Sequence, residues 1–237
     1  MLKACVNGPR TPAEHGRVPV SADQIAADVV RVVAAGADAV HVHVKDDAGV
    51  DTLHGPALAA VLHAVRAAAP GTPVGVTTGA WAEPDPHARL ARLASWTALP
   101  DFASVNWHED GAEQVAALLL ERGVGVEAGL WHVDAARSWS ASELSRRCLR
   151  VLLELPDGLD AAGTEREADD LLAAVAGTER PILLHGLGSS CWPALRHAVG
   201  RGLDTRIGLE DVLVLPDGAP APDNAALVEA ARTLGAG

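Results

Sequence analysis

The stretch Ala39-Val40-His41-Val42-His43-Val44-Lys45 predicts a β-strand that carries two histidines on one face. Because alternate residues of a strand point to the same side, His41 and His43 lie together and the three valines lie opposite them. The two histidine Cα atoms are expected roughly 6.6 Å apart, a span across which two imidazoles can bind one metal ion. The alternative is a pair of half-buried histidines that hydrogen-bond to neighbouring groups. A third ligand is therefore needed to distinguish a metal site from such a structural pair.

Segments with the pattern of strands alternate with segments of helical periodicity along the chain. Ser21-Ala22-Asp23-Gln24 predicts a capping box that opens the first helix, which runs to about residue 35. Thr164-Glu165-Arg166-Glu167 predicts a second capping box, for an amphipathic helix over 164–175. The segment 149–155 is either a strand or the end of a helix predicted over 141–148. The other predicted strands cover 2–6, 39–44, 74–77, 102–105, 125–130, 181–184 and 205–207, and the other predicted helices cover 56–69, 87–93, 111–121, 192–199 and 224–234.

The alternation of strands and helices predicts the fold. Chains of this kind form parallel strands joined by crossover helices. About eight such units, with no Pro- or Ser-rich linker between them, favour a single (β/α)₈ TIM barrel domain over residues 1–237 rather than an open sheet. The carboxyl ends of the strands of such a barrel meet at one mouth, so we expect the active site there.

The composition of the chain limits the classes of function. Hydrophobic residues make up 49% of the 237 residues and charged residues 21%, which is enough apolar material for a folded core. The net charge of −12 argues against nucleic acid and an anionic membrane as partners. Three scattered cysteines suggest neither a disulfide framework nor a cysteine-type zinc site. Because no long apolar run is present at the amino terminus or elsewhere, a cytoplasmic location is expected.

Polar side chains gather at the predicted carboxyl ends of the strands. Taken singly, Thr77 and Asn106 suit turns. Glu127 lies in an apolar strand, where a carboxylate is rarely left unpaired. Few structural cores collect so many polar groups at one end, so we expect them to form a binding site. The full set is Asn7, Arg10, His41, His43, Thr77, Thr78, Ser104, Asn106, Glu109, Glu127, His185, Arg206, Glu210 and Asp211.

The segment Arg206-Ile207-Gly208-Leu209-Glu210-Asp211 offers partners for the histidine pair. Glu210 would complete a His₂-carboxylate ligand set with an open position, as catalytic zinc uses. Asp211 would then be free to act as a base, with Arg206 positioning it and tuning its pKa. The alternative for this segment is the first turn of a surface helix, where acidic residues suit the helix dipole.

A series of short motifs runs in order over nearly the whole chain. They are Asn7-Gly8, Pro19 to Gln24, Gly36-Ala37 to His43, Thr78-Gly79, Val126-Glu127, Gly186-Leu187-Gly188, Arg206 to Asp211, Gly218, Asn224-Ala225 and Leu227-Val228. In order and spacing this set resembles the β-keto acid cleavage enzymes, the family that includes 3-keto-5-aminohexanoate cleavage enzyme. No single motif decides the resemblance, but together they are specific.

The resemblance implies a (β/α)₈ barrel that binds one divalent metal ion, usually zinc, through His41, His43 and Glu210. It implies a transfer of CoA, in which a β-keto acid and acetyl-CoA give acetoacetate and a new acyl-CoA. It implies that Asp211, assisted by Arg206, removes a proton α to the carbonyl group. Relatives assemble as homo-oligomers, so the resemblance implies the same here. The pocket-lining residues that it implies are Thr77, Ser104 and Glu127.

Two segments depart from the family pattern. Arg10 stands where relatives that act on an amino-substituted keto acid have an acidic residue. Because an arginine cannot pair with a substrate ammonium, we expect a substrate with an anionic or neutral polar tail. The glycine segment lacks the basic residue that some relatives carry after the second glycine, which leaves Gly186 and Gly188 as the predicted CoA contacts. The predicted substrate contacts are Arg10, Thr77, Ser104, Asn106 and Glu127.

Two other functions share some of these features. A metal-dependent hydrolase of the amidohydrolase kind also carries an HxH pair, but on its first strand and with further histidines. In this chain the pair lies on the second predicted strand, and His132 and His185 are the best additional candidates. A non-catalytic barrel that binds a metal or a small acid is the second alternative, although binding alone needs no base such as Asp211.

Overall fold

The computed structural model describes all residues from 1 to 237 and shows eight strands, each followed by an α-helix. The strands are β1 (Leu2–Cys5), β2 (Ala39–Val42), β3 (Val74–Thr77), β4 (Phe102–Asn106), β5 (Gly125–Leu130), β6 (Arg150–Leu155), β7 (Ile182–Gly186) and β8 (Thr205–Ile207). The helices are α1 (Ala22–Ala34), α2 (Gly55–Ala68), α3 (Pro86–Ala94), α4 (Ala112–Glu121), α5 (Val133–Ala141), α6 (Ala161–Ala174), α7 (Cys191–Gly200) and α8 (Asn224–Thr233).

The eight strands form one parallel sheet that closes on itself. Each strand from β1 to β6 pairs with the next in sequence, and β1 also pairs with β8. Between β7 and β8, the Leu184 N–H donates to Asp204 O at 3.0 Å, and the Asp204 N–H donates to Ile182 O at 3.1 Å. Because these bonds complete the ring, the predicted (β/α)₈ TIM barrel is confirmed.

The start of α1 follows the predicted capping box. The Gln24 N–H donates to Ser21 Oγ at 3.2 Å, and the Ser21 N–H donates to Gln24 Oε1 at 3.1 Å. The side chains of Ile25, Val29 and Val32 recur at helical spacing and are fully buried. The capping box and this apolar face together fix where α1 begins and how it packs on the barrel.

The capping box predicted at Thr164 is wrong. Helix α6 begins at Ala161, and its N-cap is Asp160, whose carboxylate accepts the Gly163 N–H at 2.7 Å. Thr164 is buried inside the first turn, and its hydroxyl donates to Asp160 O at 2.8 Å. Aspartate is an equally good N-cap residue, and Gly163 in the first turn obscures the helical pattern that follows it.

The region between β5 and β6 also differs from the prediction. The α-helix is α5, earlier than the predicted helix over 141–148, and a short 3₁₀ helix, Glu143–Arg147, follows it. His132 is the N-cap of α5, and its Nδ1 accepts the Ala135 N–H at 3.1 Å. Histidine is a rare capping residue, which explains why the sequence pattern missed this start. The segment after the 3₁₀ helix is the strand β6, as one of the two alternatives predicted.

The interior of the barrel contains charged side chains near the amino ends of the strands. Lys3 Nζ lies 2.5 Å from Glu127 Oε2, and both side chains are fully buried. Arg150 Nε lies 3.1 Å from Glu127 Oε1, and Arg150 Nη1 lies 3.2 Å from Asp204 Oδ2. TIM barrels usually fill this region with branched apolar residues, whereas here two cations and two carboxylates balance one another.

No helix in the structure has the length and apolar character that crossing a membrane would require.

A buried asparagine at the start of α8 joins three parts of the fold. Asn224 Oδ1 accepts the Leu209 N–H at 2.7 Å, and Asn224 Nδ2 donates to Val6 O at 2.8 Å and to Asp28 Oδ2 at 2.6 Å. Asn224→Ala should lower the free energy of unfolding by about 2–4 kcal/mol, because buried groups left without partners cost about 1–3 kcal/mol each. Urea unfolding measures this change.

The matched control is Glu229→Ala, an exposed position on the same helix, which should stay within about 0.5 kcal/mol of the wild type. An Asn224→Ala variant as stable as this control would contradict the structural role of Asn224.

Candidate active site

A cavity of 460 Å³ opens at the carboxyl ends of the strands. A larger cavity, of 550 Å³, is lined by Trp139, Arg146 and Arg180 and contains none of the predicted site residues. We assign the site to the smaller cavity because the predicted histidines and carboxylates converge there. Its lining residues are Pro9, Arg10, Glu14, His41, His43, Trp81, Ser104, Asn106, Trp131, Leu152, Glu154, Asp157, Leu187, Gly188, Arg206 and Glu210.

His41, His43 and Glu210 meet in this cavity as the sequence predicted. All three are close together, with one ligand atom from each lying within 4.8 Å of the others. His43 Nε2 lies 3.8 Å from Glu210 Oε1. His41 Nδ1 and Glu210 Oε2 are buried and have no hydrogen-bond partner in the protein. Two imidazoles and a carboxylate with orphaned buried atoms fit a divalent cation of the zinc type.

Burial lowers the pKa of His41 well below its usual range, and the neighbouring His43 lowers it further. The imidazole of His41 is therefore neutral at physiological pH. A neutral imidazole is the form that can bind a metal ion, because its unprotonated nitrogen carries the lone pair.

The motif Asn7-Gly8 holds two of these ligands in place. Asn7 Oδ1 accepts the His43 N–H at 2.8 Å, and Asn7 Nδ2 donates to His43 O at 2.9 Å. Gly8 has a φ of +56°, and a Cβ there would overlap the side chain of Glu210. Glycine at this position therefore permits both the left-handed turn and the close approach of the glutamate.

Arg206 joins Glu210 to Asp211. Arg206 Nη2 donates to Glu210 Oε1 at 3.0 Å and to Asp211 Oδ1 at 2.8 Å, and Arg206 Nε donates to Asp211 Oδ1 at 3.2 Å. Asp211 is fully buried, so it lies behind Arg206 and Glu210 and does not itself line the cavity. Burial raises the pKa of Asp211 to about 7, although the Arg206 guanidinium lowers it. Asp211 Oδ2 has no hydrogen-bond partner.

Glu154 and His185 extend this polar cluster to β6 and β7. His185 Nε2 lies 3.4 Å from Glu154 Oε2, and His185 Nδ1 lies 3.8 Å from Asp211 Oδ1. Burial lowers the pKa of His185 well below its usual range and raises the pKa of Glu154. Glu154 was not among the predicted site residues, although it stands in an apolar strand just as Glu127 does, a pattern that could have indicated it.

Asp51 is a second residue that sequence reasoning missed. Its Oδ2 accepts hydrogen bonds from His43 Nδ1 at 2.7 Å and from Trp81 Nε1 at 2.8 Å. Its Oδ1 accepts from Lys45 Nζ at 2.6 Å. Burial favours a higher pKa, but the hydrogen bonds from His43, Lys45 and Trp81 outweigh it and lower the pKa of Asp51 to about 2. Asp51 is therefore an ionised carboxylate beside a predicted ligand.

The predicted substrate contacts divide into two groups. Ser104 and Asn106 line the cavity, and Asn106 Nδ2 donates to Glu109 Oε1 at 2.9 Å. Thr77 is buried outside the lining, and its Oγ1 accepts the Gly79 N–H at 3.1 Å, as the turn alternative predicted. Glu127 also lies outside the lining, because its carboxylate is bound to Lys3 and Arg150 deeper in the barrel.

Arg10 lines the cavity together with Glu14. Arg10 Nε donates to Glu210 O at 3.3 Å, and Arg10 Nη1 lies 3.1 Å from Glu14 Oε1. A backbone hydrogen bond from Thr11 lowers the pKa of Glu14, so this carboxylate is ionised. Glu14, four positions after Arg10, was not predicted as its partner, although ion pairs at this spacing are common.

The two predicted CoA contacts lie at different depths. Gly188 lines the cavity, with a φ of +52°, and a Cβ there would overlap the carboxylate of Asp157. Gly186 is the buried last residue of β7, and a Cβ there would overlap Ser190. Only Gly188 is therefore in direct reach of a molecule in the cavity.

The fold and this cavity define a (β/α)₈ barrel with a His₂-carboxylate cluster beside an arginine–aspartate pair. Residues 1–236 match the family model described as beta-keto acid cleavage enzyme, and the chain belongs to this family. It is 23% identical to the 3-keto-5-aminohexanoate cleavage enzyme of Acetoanaerobium sticklandii over a 247-residue alignment, which covers 97% of this chain and 89% of that enzyme.

Solved structures share the fold at low sequence identity. The ternary complex of ObcA with a C4-CoA adduct and oxalate has a TM-score of 0.69 at 19% identity, and the alignment covers 92% of this chain. The binary complex of ObcA with oxaloacetate has a TM-score of 0.68 at 18% identity and the same coverage. This chain spans 63% of the length of these ObcA chains. A type I 3-dehydroquinate dehydratase from Clostridium difficile, with a TM-score of 0.65 at 12% identity, shares the barrel fold alone.

The position of Glu127 leads to a stability prediction. Glu127→Gln should lower the free energy of unfolding by about 3–5 kcal/mol, because it leaves the buried Lys3 charge without its partner. Urea unfolding of the metal-free protein tests this, with Glu165→Gln on the exposed face of α6 as the control. An unchanged stability together with a raised KM for the keto acid would instead show that Glu127 contacts substrate.

Proposed function

We propose that the protein is a metal-dependent β-keto acid cleavage enzyme that uses acetyl-CoA as co-substrate and releases acetoacetate and a new acyl-CoA. The observation that carries this proposal is the convergence of His41, His43 and Glu210 with Arg206 and Asp211 at the end of a barrel of that family. In the same cavity, Ser104 and Asn106 offer polar contacts for a bound keto acid.

The proposed metal ligands are His41, His43 and Glu210, and the proposed cation is Zn²⁺. A divalent cation bound there would act as a Lewis acid and stabilise negative charge on a carbonyl oxygen of the substrate. The protein contributes neutral imidazoles, a buried carboxylate and a cavity that holds the keto acid against them.

Asp211 is the proposed base that takes a proton from the carbon between the two carbonyl groups of the keto acid. Its Oδ1 is held by Arg206, which leaves Oδ2 to accept the proton. Because Asp211 does not line the cavity, the transfer requires a bridging water or a shift of the Arg206 side chain. Arg206 is thus a positioning residue in this proposal, and its guanidinium offsets part of the effect of burial on the pKa of Asp211.

The proposed reaction conserves atoms and electrons. The substrate carbanion attacks the thioester carbon of acetyl-CoA and forms a carbon–carbon bond as CoA thiolate leaves. The thiolate then attacks the original keto carbon, and the bond between that carbon and the deprotonated carbon breaks. The products are acyl-CoA and the acetoacetate carbanion, which recovers the proton from Asp211.

The substrate tail is assigned from Arg10. Arg10 reaches the cavity and has Glu14 as its only carboxylate partner, and that carboxylate is largely open to solvent. A substrate carboxylate or polar group can replace Glu14 on the guanidinium, whereas a substrate ammonium would meet a like charge. We therefore propose an anionic or neutral polar tail.

CoA is proposed to enter past Gly188, with Gly186 behind it. The ObcA complex with a C4-CoA adduct supports a CoA derivative as ligand in a barrel of this fold. The homo-oligomeric state and the cytoplasmic location remain predictions from the sequence.

The proposed reaction is tested by incubating the zinc-loaded protein with acetyl-CoA and a panel of β-keto acids. We expect acetoacetate and a new acyl-CoA in equal amounts, measured by chromatography and mass spectrometry. Hydrolysis of esters or amides with no acetoacetate would favour a metal-dependent hydrolase. Tight metal binding with no turnover of any compound would favour a non-catalytic barrel.

Two variants separate the roles of the base and the ligands. Asp211→Asn should retain bound metal and lose activity, because the amide cannot accept the proton. His43→Ala should lose both metal and activity. Metal analysis of each purified variant, together with the acetoacetate assay, measures the two effects. A fully loaded His43→Ala protein would refute the ligand assignment.

The role of Arg10 is tested on substrates that differ only in tail charge. Arg10→Gln should lower kcat/KM for an anionic-tail keto acid about 10–100-fold, as expected for the loss of a charged hydrogen bond. A neutral apolar-tail keto acid of the same length serves as the control and should change little. If a cationic keto acid is the fastest substrate of the wild type, the assigned tail is wrong.

A further inference from the structure

The loop after β2 places a buried carboxylate behind one of the proposed metal ligands. The chain turns back on itself here, since Asp46 N donates to Val50 O at 2.8 Å and Thr52 N donates to Val44 O at 2.9 Å. This short hairpin brings Asp51 opposite Lys45, and only 5% of the Asp51 side chain is exposed. Asp51 thereby lies beside His43, the residue that follows β2.

The two ring nitrogens of His43 face different partners. Nδ1 lies 2.7 Å from Asp51 Oδ2, and Nε2 faces Glu210 at 3.8 Å. Asp51 already accepts hydrogen bonds from Trp81 Nε1 at 2.8 Å and from Lys45 Nζ at 2.6 Å, so it faces His43 as an acceptor, and the tautomer that fits this contact carries its proton on Nδ1. Nε2 then carries the lone pair, and it points to the place where the other two proposed ligands converge.

Trp81 covers the same imidazole on its open side. Its ring stacks on that of His43 at 5.8 Å between centroids and 16° between planes, and its Nε1–H donates to Asp51 Oδ2. A Cβ at Gly79 would overlap the Trp81 ring, so glycine lets this loop fold over the site. One carboxylate oxygen of Asp51 thus restrains both the ligand and the side chain stacked on it.

We propose that Asp51 is a positioning residue that fixes the tautomer and the ring orientation of His43, so that Nε2 is available to a divalent cation. The inference rests on the proposed function, because it takes His43 as a metal ligand. Carboxylates that accept from the distal nitrogen of a metal-bound histidine orient the ring and increase its basicity. Lys45 orients Asp51 in turn, by donating to its other oxygen and to Gly8 O at 2.6 Å.

The test compares Asp51→Asn with Asp47→Asn. Asp51→Asn keeps the shape of the side chain but removes its charge and lets it donate, so both tautomers of His43 become accessible. Asp47→Asn makes the same chemical change at an exposed position of the same hairpin, away from His43. Zinc affinity is measured by competition with a chromophoric chelator, and the Co²⁺-loaded protein gives a visible spectrum that reports ligand geometry.

We expect the zinc affinity of Asp51→Asn to fall about 10–100-fold, with an altered Co²⁺ spectrum, while Asp47→Asn keeps the affinity and spectrum of the wild type. Equal zinc affinity of Asp51→Asn and wild type would overturn the proposal. A wild type that binds no divalent metal would instead overturn the metal-dependent function itself, which keeps the two failures distinct.

A measurement on the metal-free wild type does not depend on the folding of any variant. Nitrogen-15 NMR of the imidazole groups, with the His43 signals assigned by their loss in His43→Gln, reports which nitrogen carries the proton. The spectra are recorded at a pH high enough for the His43 ring to be neutral, where we expect its proton on Nδ1 and none on Nε2. A proton on Nε2 in the neutral ring would overturn the role assigned to Asp51.

Discussion

The buried guanidinium of Arg206 is the interaction on which the candidate site depends. Two carboxylates that are adjacent in sequence, Glu210 and Asp211, both bond to it, and without it their ionised forms would repel each other in a desolvated place. The loop that carries them lies against β1, where the Glu210 N–H donates to the Cys5 carbonyl at 3.2 Å. A Cβ at Gly208 would overlap that same carbonyl, so glycine permits this close approach. Arg206 and this contact together bring Glu210, in the loop after β8, to His41 and His43.

The barrel interior is polar along much of its length, and its polar residues are of two kinds. Near the amino ends of the strands, Lys3 and Glu127 balance each other and are closed to solvent. Near the carboxyl ends, polar groups keep buried atoms without hydrogen-bond partners next to the cavity, as His41 and Asp211 do. Charges that lie against a countercharge away from the cavity belong to the fold, whereas orphaned atoms beside a cavity are where a ligand can bind. This distinction, rather than charge or burial alone, separates structural from candidate functional residues in the protein.

The sequence was sufficient for the barrel and for the three proposed ligands, because strand alternation and the HxH spacing are local patterns. It failed where a role depends on depth or on a distant partner. The strand that carries Glu127 was predicted correctly, but Glu127 was placed in the pocket. Its depth along the barrel axis depends on the stagger between strands, which the local sequence does not show. Asp51 was missed because only the hairpin after β2 brings it to His43. Helix α5 was missed because its start is capped by His132 rather than by a residue typical of that position.

The side chain of Asn7 pairs with both backbone groups of His43 and so adds one more rung to the ladder between β1 and β2. The histidine is consequently fixed twice, at its main chain by Asn7 and at its ring by Asp51. Ligand atoms that are held rigidly before a cation binds cannot move apart to accommodate a larger cation. In the proposed metal site, such rigidity would favour a small four-coordinate ion bound at about 2.0–2.2 Å over calcium, which requires six to eight oxygen ligands at about 2.3–2.6 Å. The rigidity of the scaffold would then determine the size and coordination number of the cation that this site accepts.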